Sequence, residues 1–218
     1  MTCRRLLAPA LLASALGGLG AFPVLASDLE VIAGSYCKNP DYSDPIHVQL
    51  KPLADLLARG EGDYNSVNRG WAGDTPGGIK RLTGSSFAAF TVRQVVDMQR
   101  GWLHAVGRYQ FIPRTLRFAV DSSSVSYEDK FTPEVQDRLM AALVLYKRPT
   151  IFSYLQGSHD NVGAALRALA REWASVEYSH GRGYYDYIGG NRASISRTEA
   201  AAVLQQIKAA WQERGALP

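Results

Sequence analysis

The sequence predicts an α+β domain, predominantly α-helical, with one small β-hairpin excursion after its first helix. Three observations carry this. Apolar residues recur at helical spacing in separate stretches: Leu50, Leu53 and Leu57; Val92, Val95 and Val96; Val135, Leu139 and Leu143; Leu204, Ile207 and Trp211. Cap residues Thr91, Thr132 and Ser196 stand in front of several of these stretches. Gly, Asn, Asp and Ser crowd residues 61–86, which leaves room for turns and a hairpin there. The 218 residues, 46% of them hydrophobic, suffice for one sizeable core, and no linker divides them.

Taken in order, residues 27–45 are turn-rich and read as an extended lead-in to the domain, residues 46–218. A helix starts near Pro45 and carries Leu50, Leu53, Ala54 and Leu57 on one side, ending at Arg59-Gly60. Pro52 either kinks it or marks its true first turn. Thr75-Pro76-Gly77-Gly78 is a strong turn signal, and residues 79–90 have room for the short hairpin. Thr91 caps a helix through Gln99, and Pro113 opens one to about Val120. Thr132-Pro133-Glu134 begins a helix whose apolar face runs from Val135 through Leu139, Ala142 and Leu143 to Tyr146. Asp160 caps a helix carrying Leu166, Leu169, Ala170 and Trp173. Ser196-Arg197-Thr198-Glu199 is a capping box opening the last helix, with Val203, Leu204, Ile207 and Trp211 on one side.

The N-terminus has the three-part form of a secretory signal peptide: Arg4 and Arg5, an apolar run from residue 6 to 22, and short side chains at Val24 and Ala26. Cleavage is expected after Ala26, sending the protein to the periplasm or the exterior without stable membrane insertion. Loss of Arg4 and Arg5 with the leader takes the formal charge from +4 to +2. So mild a basicity suits a polyanionic wall substrate and gives little support to nucleic-acid binding. Cys37 is then the only cysteine, so no intramolecular disulfide forms. The four histidines are dispersed, with no pair at metal-binding spacing, and no metal or cofactor is implied.

Several segments have the makings of a site. Gly60-Glu61-Gly62 sets a carboxylate at a helix end, before a loop whose Tyr64, Asn65 and Asn68 offer hydroxyl and amide groups to a ligand. A carboxyl shielded beside a groove has its neutral form favoured and donates a proton near neutral pH. The same residue also reads as a solvated helix terminus. In Gly107-Arg108-Tyr109-Gln110, Tyr109 suits a sugar face and Gln110 an N-acetyl amide, or both are ordinary packing before a Pro-initiated helix. Gln136 and Asp137 are either polar site groups or satisfied structural side chains. Trp173 reads as core, and Ser175 as a helix end. Tyr178, Tyr184, Tyr185 and Tyr187 crowd a glycine-rich loop, which fits either a carbohydrate face or a packed aromatic cluster; Tyr184 is the binding candidate among them.

Together and in this order, four motifs resemble the lysozyme-like superfamily, and within it the phage lambda lysozyme type, which cleaves peptidoglycan as a lytic transglycosylase. They are Glu61-Gly62 after an amphipathic helix, Gly107-Arg108-Tyr109-Gln110, Phe131-Thr132-Pro133 with Gln136-Asp137, and Trp173-Ala174-Ser175. The match spans roughly residues 47–190. Residues 68–102 depart from that pattern and hold an additional helix. The resemblance implies a two-lobed lysozyme-like fold with a groove between the lobes. It implies Glu61 as catalytic acid, Tyr109 and Gln110 as groove-lining groups, and peptidoglycan glycan strands as partner. It also implies a single-glutamate reaction at the MurNAc-GlcNAc β-1,4 bond that leaves 1,6-anhydro-muropeptides. Asp63 and Asp74 are the nearest second carboxylates, so a hydrolytic muramidase stays open. So does a wall-binding protein without activity.

Overall fold

The computed structural model describes residues 46–213; the leader, the lead-in and Cys37 lie outside the described residues. About 54% of the structure is helical and its strands are two or three residues long, which makes it a mostly-α α+β fold.

The first helix is two. Helix α1 (Ile46–Gln49) stops at Leu50, and α2 (Lys51–Glu61) starts beyond it with Pro52 in its first turn. Pro52 has no N–H to give back to the preceding turn, so the break falls there. Helix α2 buries Leu53, Ala54, Leu56 and Leu57, a stripe at helical spacing, and runs one residue past the expected Arg59-Gly60 end, to Glu61.

The expected hairpin within 79–90 is not formed. Those residues make α3 (Gly78–Thr83) and a 3-10 turn (Phe87–Ala89). Two glycines with left-handed backbones, Gly77 and Gly84, flank α3 and stop it from extending as a strand. Ile79 and Phe87 instead plug into the core, both essentially inaccessible. The β pairing is non-local: β1 (Val67–Asn68) runs antiparallel to β2 (Ala105–Val106), with Val67 opposite Val106.

Helix α4 (Val92–Gly101) opens on the expected Thr91 cap, in a full capping box with Gln94, and α5 (Pro113–Asp121) opens on its proline. Helix α6 (Pro133–Ala142) is capped by Thr132 and continues into a π-turn (Leu143–Lys147). The wider turn shifts the phase of the apolar face, so Leu143 and Val144 stay buried while Tyr146 comes out 49% exposed rather than facing the core. A helix not foreseen, α7 (Pro149–Leu155), follows at once on Pro149.

Helix α8 (Val162–Ala170) is capped by Asn161, whose side chain accepts from the Ala164 N–H. Asp160 instead meets the Lys208 ammonium at 2.5 Å. Trp173 lies past the helix end and is still buried. A small antiparallel ribbon, β3 (Glu177–Ser179) and β4 (Arg182–Gly183), leads to α9 (Arg197–Glu213). There the Ser196 hydroxyl accepts from the Glu199 N–H and the Glu199 carboxylate accepts from the Ser196 N–H, as expected. Helix α9 packs across α2, α7 and α8 through Leu204, Ile207 and Trp211. The core is continuous from Leu50 to Trp211.

Candidate active site

Glu61 is the last residue of α2, and Gly62 ends the helix with a backbone (φ +147°) that side chains disfavour. The residue before it is as important. A Cβ on Gly60 would lie 2.3 Å from Ser175 Cβ and 2.8 Å from Ser194 Oγ. Only glycine lets the segment after α8 lie this close to α2. In consequence the Ser175 N–H donates to Glu61 Oε1 at 3.0 Å, across 114 positions of sequence. Burial pushes the Glu61 carboxyl above the ordinary range; hydrogen bonding from Ser175 opposes the shift without cancelling it. No cation is paired with Glu61 among the described residues.

Glu61 faces a cleft of about 300 Å³ that it shares with Asp63, Asn65, Thr75, Lys80 and Gln110. The β1–β2 pairing brings the two chemical segments together, setting the loop after Glu61 beside Gly107-Arg108-Tyr109-Gln110. Gln110 holds a left-handed backbone at φ +46°, a costly conformation for a side chain this size. Its amide is fixed at both ends: Nε2 donates to the Gly107 carbonyl at 2.9 Å, and Oε1 accepts from Asn68 Nδ2 at 3.0 Å. Asn68 therefore positions Gln110 rather than lining the cleft. Asn65 does line it, but its side-chain oxygen is used by the Phe87 N–H at 3.0 Å.

Tyr109 corrects the sequence expectation. It is 2% exposed, and its hydroxyl donates to Asp137 Oδ1 at 2.5 Å, so it has no face to offer a sugar. Tyr64 belongs to the same network. It donates to both Asp137 oxygens at 3.1 Å and accepts from Arg108 Nη1 at 2.7 Å. Arg108 Nη2 reaches Asp55 Oδ1 at 2.6 Å, and its guanidinium lies 4.8 Å from the Tyr64 ring centre. Burial and the Asp137 carboxylate push both tyrosines above their ordinary range, so they remain neutral phenols. Arg108, Asp137 and the two tyrosines brace α2 against α6, and neither tyrosine lines the cleft. Gln136, also buried, accepts from the Arg108 N–H and donates to the Tyr64 carbonyl, which makes it structural.

Tyr184 stands apart from the cleft lining. Its ring meets Tyr178 at 5.2 Å and Tyr185 at 4.9 Å, both edge-on, and Arg171 lies 5.5 Å from its centre. This is the packed-cluster alternative, with one face still exposed. Of the two spare carboxylates, Asp74 is committed to a turn. It accepts from the Arg69 N–H at 3.0 Å, the Trp71 N–H at 3.1 Å and the Thr75 hydroxyl at 2.6 Å. Burial would raise its carboxyl, but these bonds outweigh it and hold the group below the usual range. Asp63 shares the cleft with Glu61 and accepts from the Asn65 N–H at 2.7 Å and the Ser66 hydroxyl at 3.1 Å.

Ser175, Thr75 and Lys80 are candidate-site residues that the sequence does not announce. Ser175 reads as a helix end because nothing local announces a partner so far back in the chain. Lys80 sits in a segment expected to be a hairpin. The Gly-Gly pair before it was the available signal, since it can start a tight helix as well as a turn.

No protein-family model matches this chain, and neither a curated protein nor a solved structure does.

Proposed function

We propose that this protein cleaves peptidoglycan as a secreted lytic transglycosylase, with Glu61 as its single acid/base. The observation that carries the reading is a carboxyl raised by burial, free of any cation, and facing a cleft lined by amide and hydroxyl groups. The resemblance in motif order points the same way, and the expected leader would deliver the enzyme to the wall.

In this scheme the Glu61 carboxyl gives its proton to the glycosidic oxygen as the bond from the muramoyl C1 to that oxygen breaks. The resulting carboxylate then takes the proton of the C6 hydroxyl of the same sugar, whose oxygen bonds to C1. One C–O bond is exchanged for another, Glu61 ends protonated, and no water is consumed. A raised carboxyl suits the first step, because its neutral form persists at higher pH. Gln110, clamped by Asn68 and Gly107, offers a fixed amide for an N-acetyl group. The commitment of Asp74 to its turn favours one carboxylate over two. Asp63, which opens on the same cleft, supports a second reading as a hydrolytic muramidase.

Mass spectrometry of products from purified peptidoglycan tests this. The wild type is expected to release fragments ending in 1,6-anhydro-muramic acid, and Glu61→Gln none. Reducing-end products that vanish with Asp63→Asn would establish the hydrolase instead. A folded protein that binds the wall and releases nothing would be a binding protein.

A further inference from the structure

The cleft contains an exposed cation, Lys80, that makes no ion pair among the described residues. Helix α3 reaches it because Gly78 has no side chain: a Cβ there would sit 2.1 Å from the Asn65 carbonyl oxygen, on a left-handed backbone (φ +59°). The Ile79 N–H donates to that same carbonyl at 2.9 Å, and the Ile79 side chain is fully buried. These contacts pin the helix to the loop that follows Glu61 and leave the next residue, Lys80, at the cleft. Among the described residues no carboxylate lies within ion-pair distance of Lys80. Nor is Lys80 among the groups that set the state of Glu61 or Asp74. It is the single cation of a cleft whose other charged groups are Glu61 and Asp63.

From this we infer that Lys80 selects an anionic substrate: it pairs with a carboxylate carried by the muramoyl unit in the cleft. The inference rests on the peptidoglycan reading above. An uncharged β-1,4 glycan would leave the ammonium with no anionic partner. A muramoyl unit brings its own anion, either the lactyl carboxylate of a glycan stripped of peptide or a carboxylate of the peptide stem. The ammonium is a compact donor on a flexible stem, suited to meeting such a group at the rim without shifting Glu61.

Binding calorimetry in a Glu61→Gln background, where nothing turns over, separates the sources. The probes are three soluble oligomers of one length: peptide-free muramoyl glycan, peptide-bearing muramoyl glycan, and an uncharged N-acetylglucosamine chain. Adding Lys80→Gln should weaken one or both anionic oligomers about tenfold, the scale of one hydrogen bond to a charged group. The uncharged chain should be unaffected, and Lys80→Arg should restore most of the loss. The oligomer that responds identifies the carboxylate. Equal loss on all three probes, no loss on either anionic one, or no binding of either would overturn the assignment. Lys80-dependent binding by a protein whose wild type cuts nothing would sink the enzymatic reading and leave the carboxylate pairing standing.

Discussion

Glu172 belongs to the segment that follows α8, and Glu61 meets the same segment at Ser175. Glu172 has a side chain only 3% exposed and is gripped by two cations, Lys147 Nζ at 2.6 Å and Arg148 Nε at 2.8 Å. The π-turn delivers both of them, since it ends at Lys147 and turns Arg148 back toward the same carboxylate. Glu61 receives a backbone N–H from Ser175 and no cation. A buried carboxylate with two cations is electrostatically satisfied and can do no more than hold elements together. A shielded carboxyl given one neutral donor keeps its proton longer and faces open space in which to spend it. The same side chain thus becomes a strut or an acid according to what the neighbouring elements bring to it.

Removing the strut should give the largest effect. Glu172→Gln leaves Lys147 and Arg148 facing each other without their anion, and should lower unfolding free energy by about 3 kcal/mol in urea melts at neutral pH. A loss within experimental error would mean that the pair is solvated and the contrast with Glu61 is overdrawn. Next comes the seat of the acid. Gly60→Ala sets a methyl 2.3 Å from Ser175 Cβ, so the Ser175 segment must retreat and Glu61 loses its donor. The proposed wall-cleaving activity should fall by about 10²-fold, the scale of an ångström-sized misplacement, while the circular dichroism spectrum stays helical. Full activity would show that Ser175 does not orient Glu61.

The smallest effect concerns stability against pH. The folded-state carboxyl of Glu61 titrates above its ordinary value of 4.5, so as pH rises the unfolded chain releases this proton first. Wild-type stability should therefore decline from about pH 4.5 up through the raised folded value. Glu61→Gln lacks that decline. The two proteins should match in acid, and the variant should be the more stable at neutral pH. Thermal melts across that range would show the gap opening; a gap that opened in acid and closed at neutral pH would have the wrong sign.

The legible parts of the molecule were local. Thr91, Thr132 and Ser196 cap their helices because the cap is written within three or four residues, and Glu61 ends α2 because an apolar stripe runs out beside it. The illegible parts needed a partner from elsewhere. Val67 finds Val106, and Ser175 finds Glu61, only once the chain has closed on itself. Residues 79–90 follow one turn signal at residues 75–78, carry a second at Gly84-Ser85-Ser86, and place apolar residues on either side of it. Those fit a hairpin until burial of Ile79 and Phe87 selects a helix and a 3-10 turn. Tyr109 shows the reverse error. Its sequence neighbours suit a sugar site, but Asp137 lies 28 positions away and takes its hydroxyl into the core. At the site, Glu61, Asn65 and Gln110 were found from sequence and do share the cleft. Tyr64 and Tyr109 belong to the brace between α2 and α6, Asn68 to the hydrogen bond that holds Gln110, and Tyr184 to a cluster apart from the cleft lining.

To act as the proposed acid, Glu61 must hold its proton beyond the ordinary carboxyl range. Carbon-13 NMR of glutamate side-chain carboxyls, followed from acid to neutral pH in the wild type and in Glu61→Gln, reads this directly. One resonance, absent from the variant, should titrate well above the solvent-exposed glutamates. If the resonance that disappears titrates among them instead, Glu61 is an ordinary helix-end carboxylate and the proposed acid is lost.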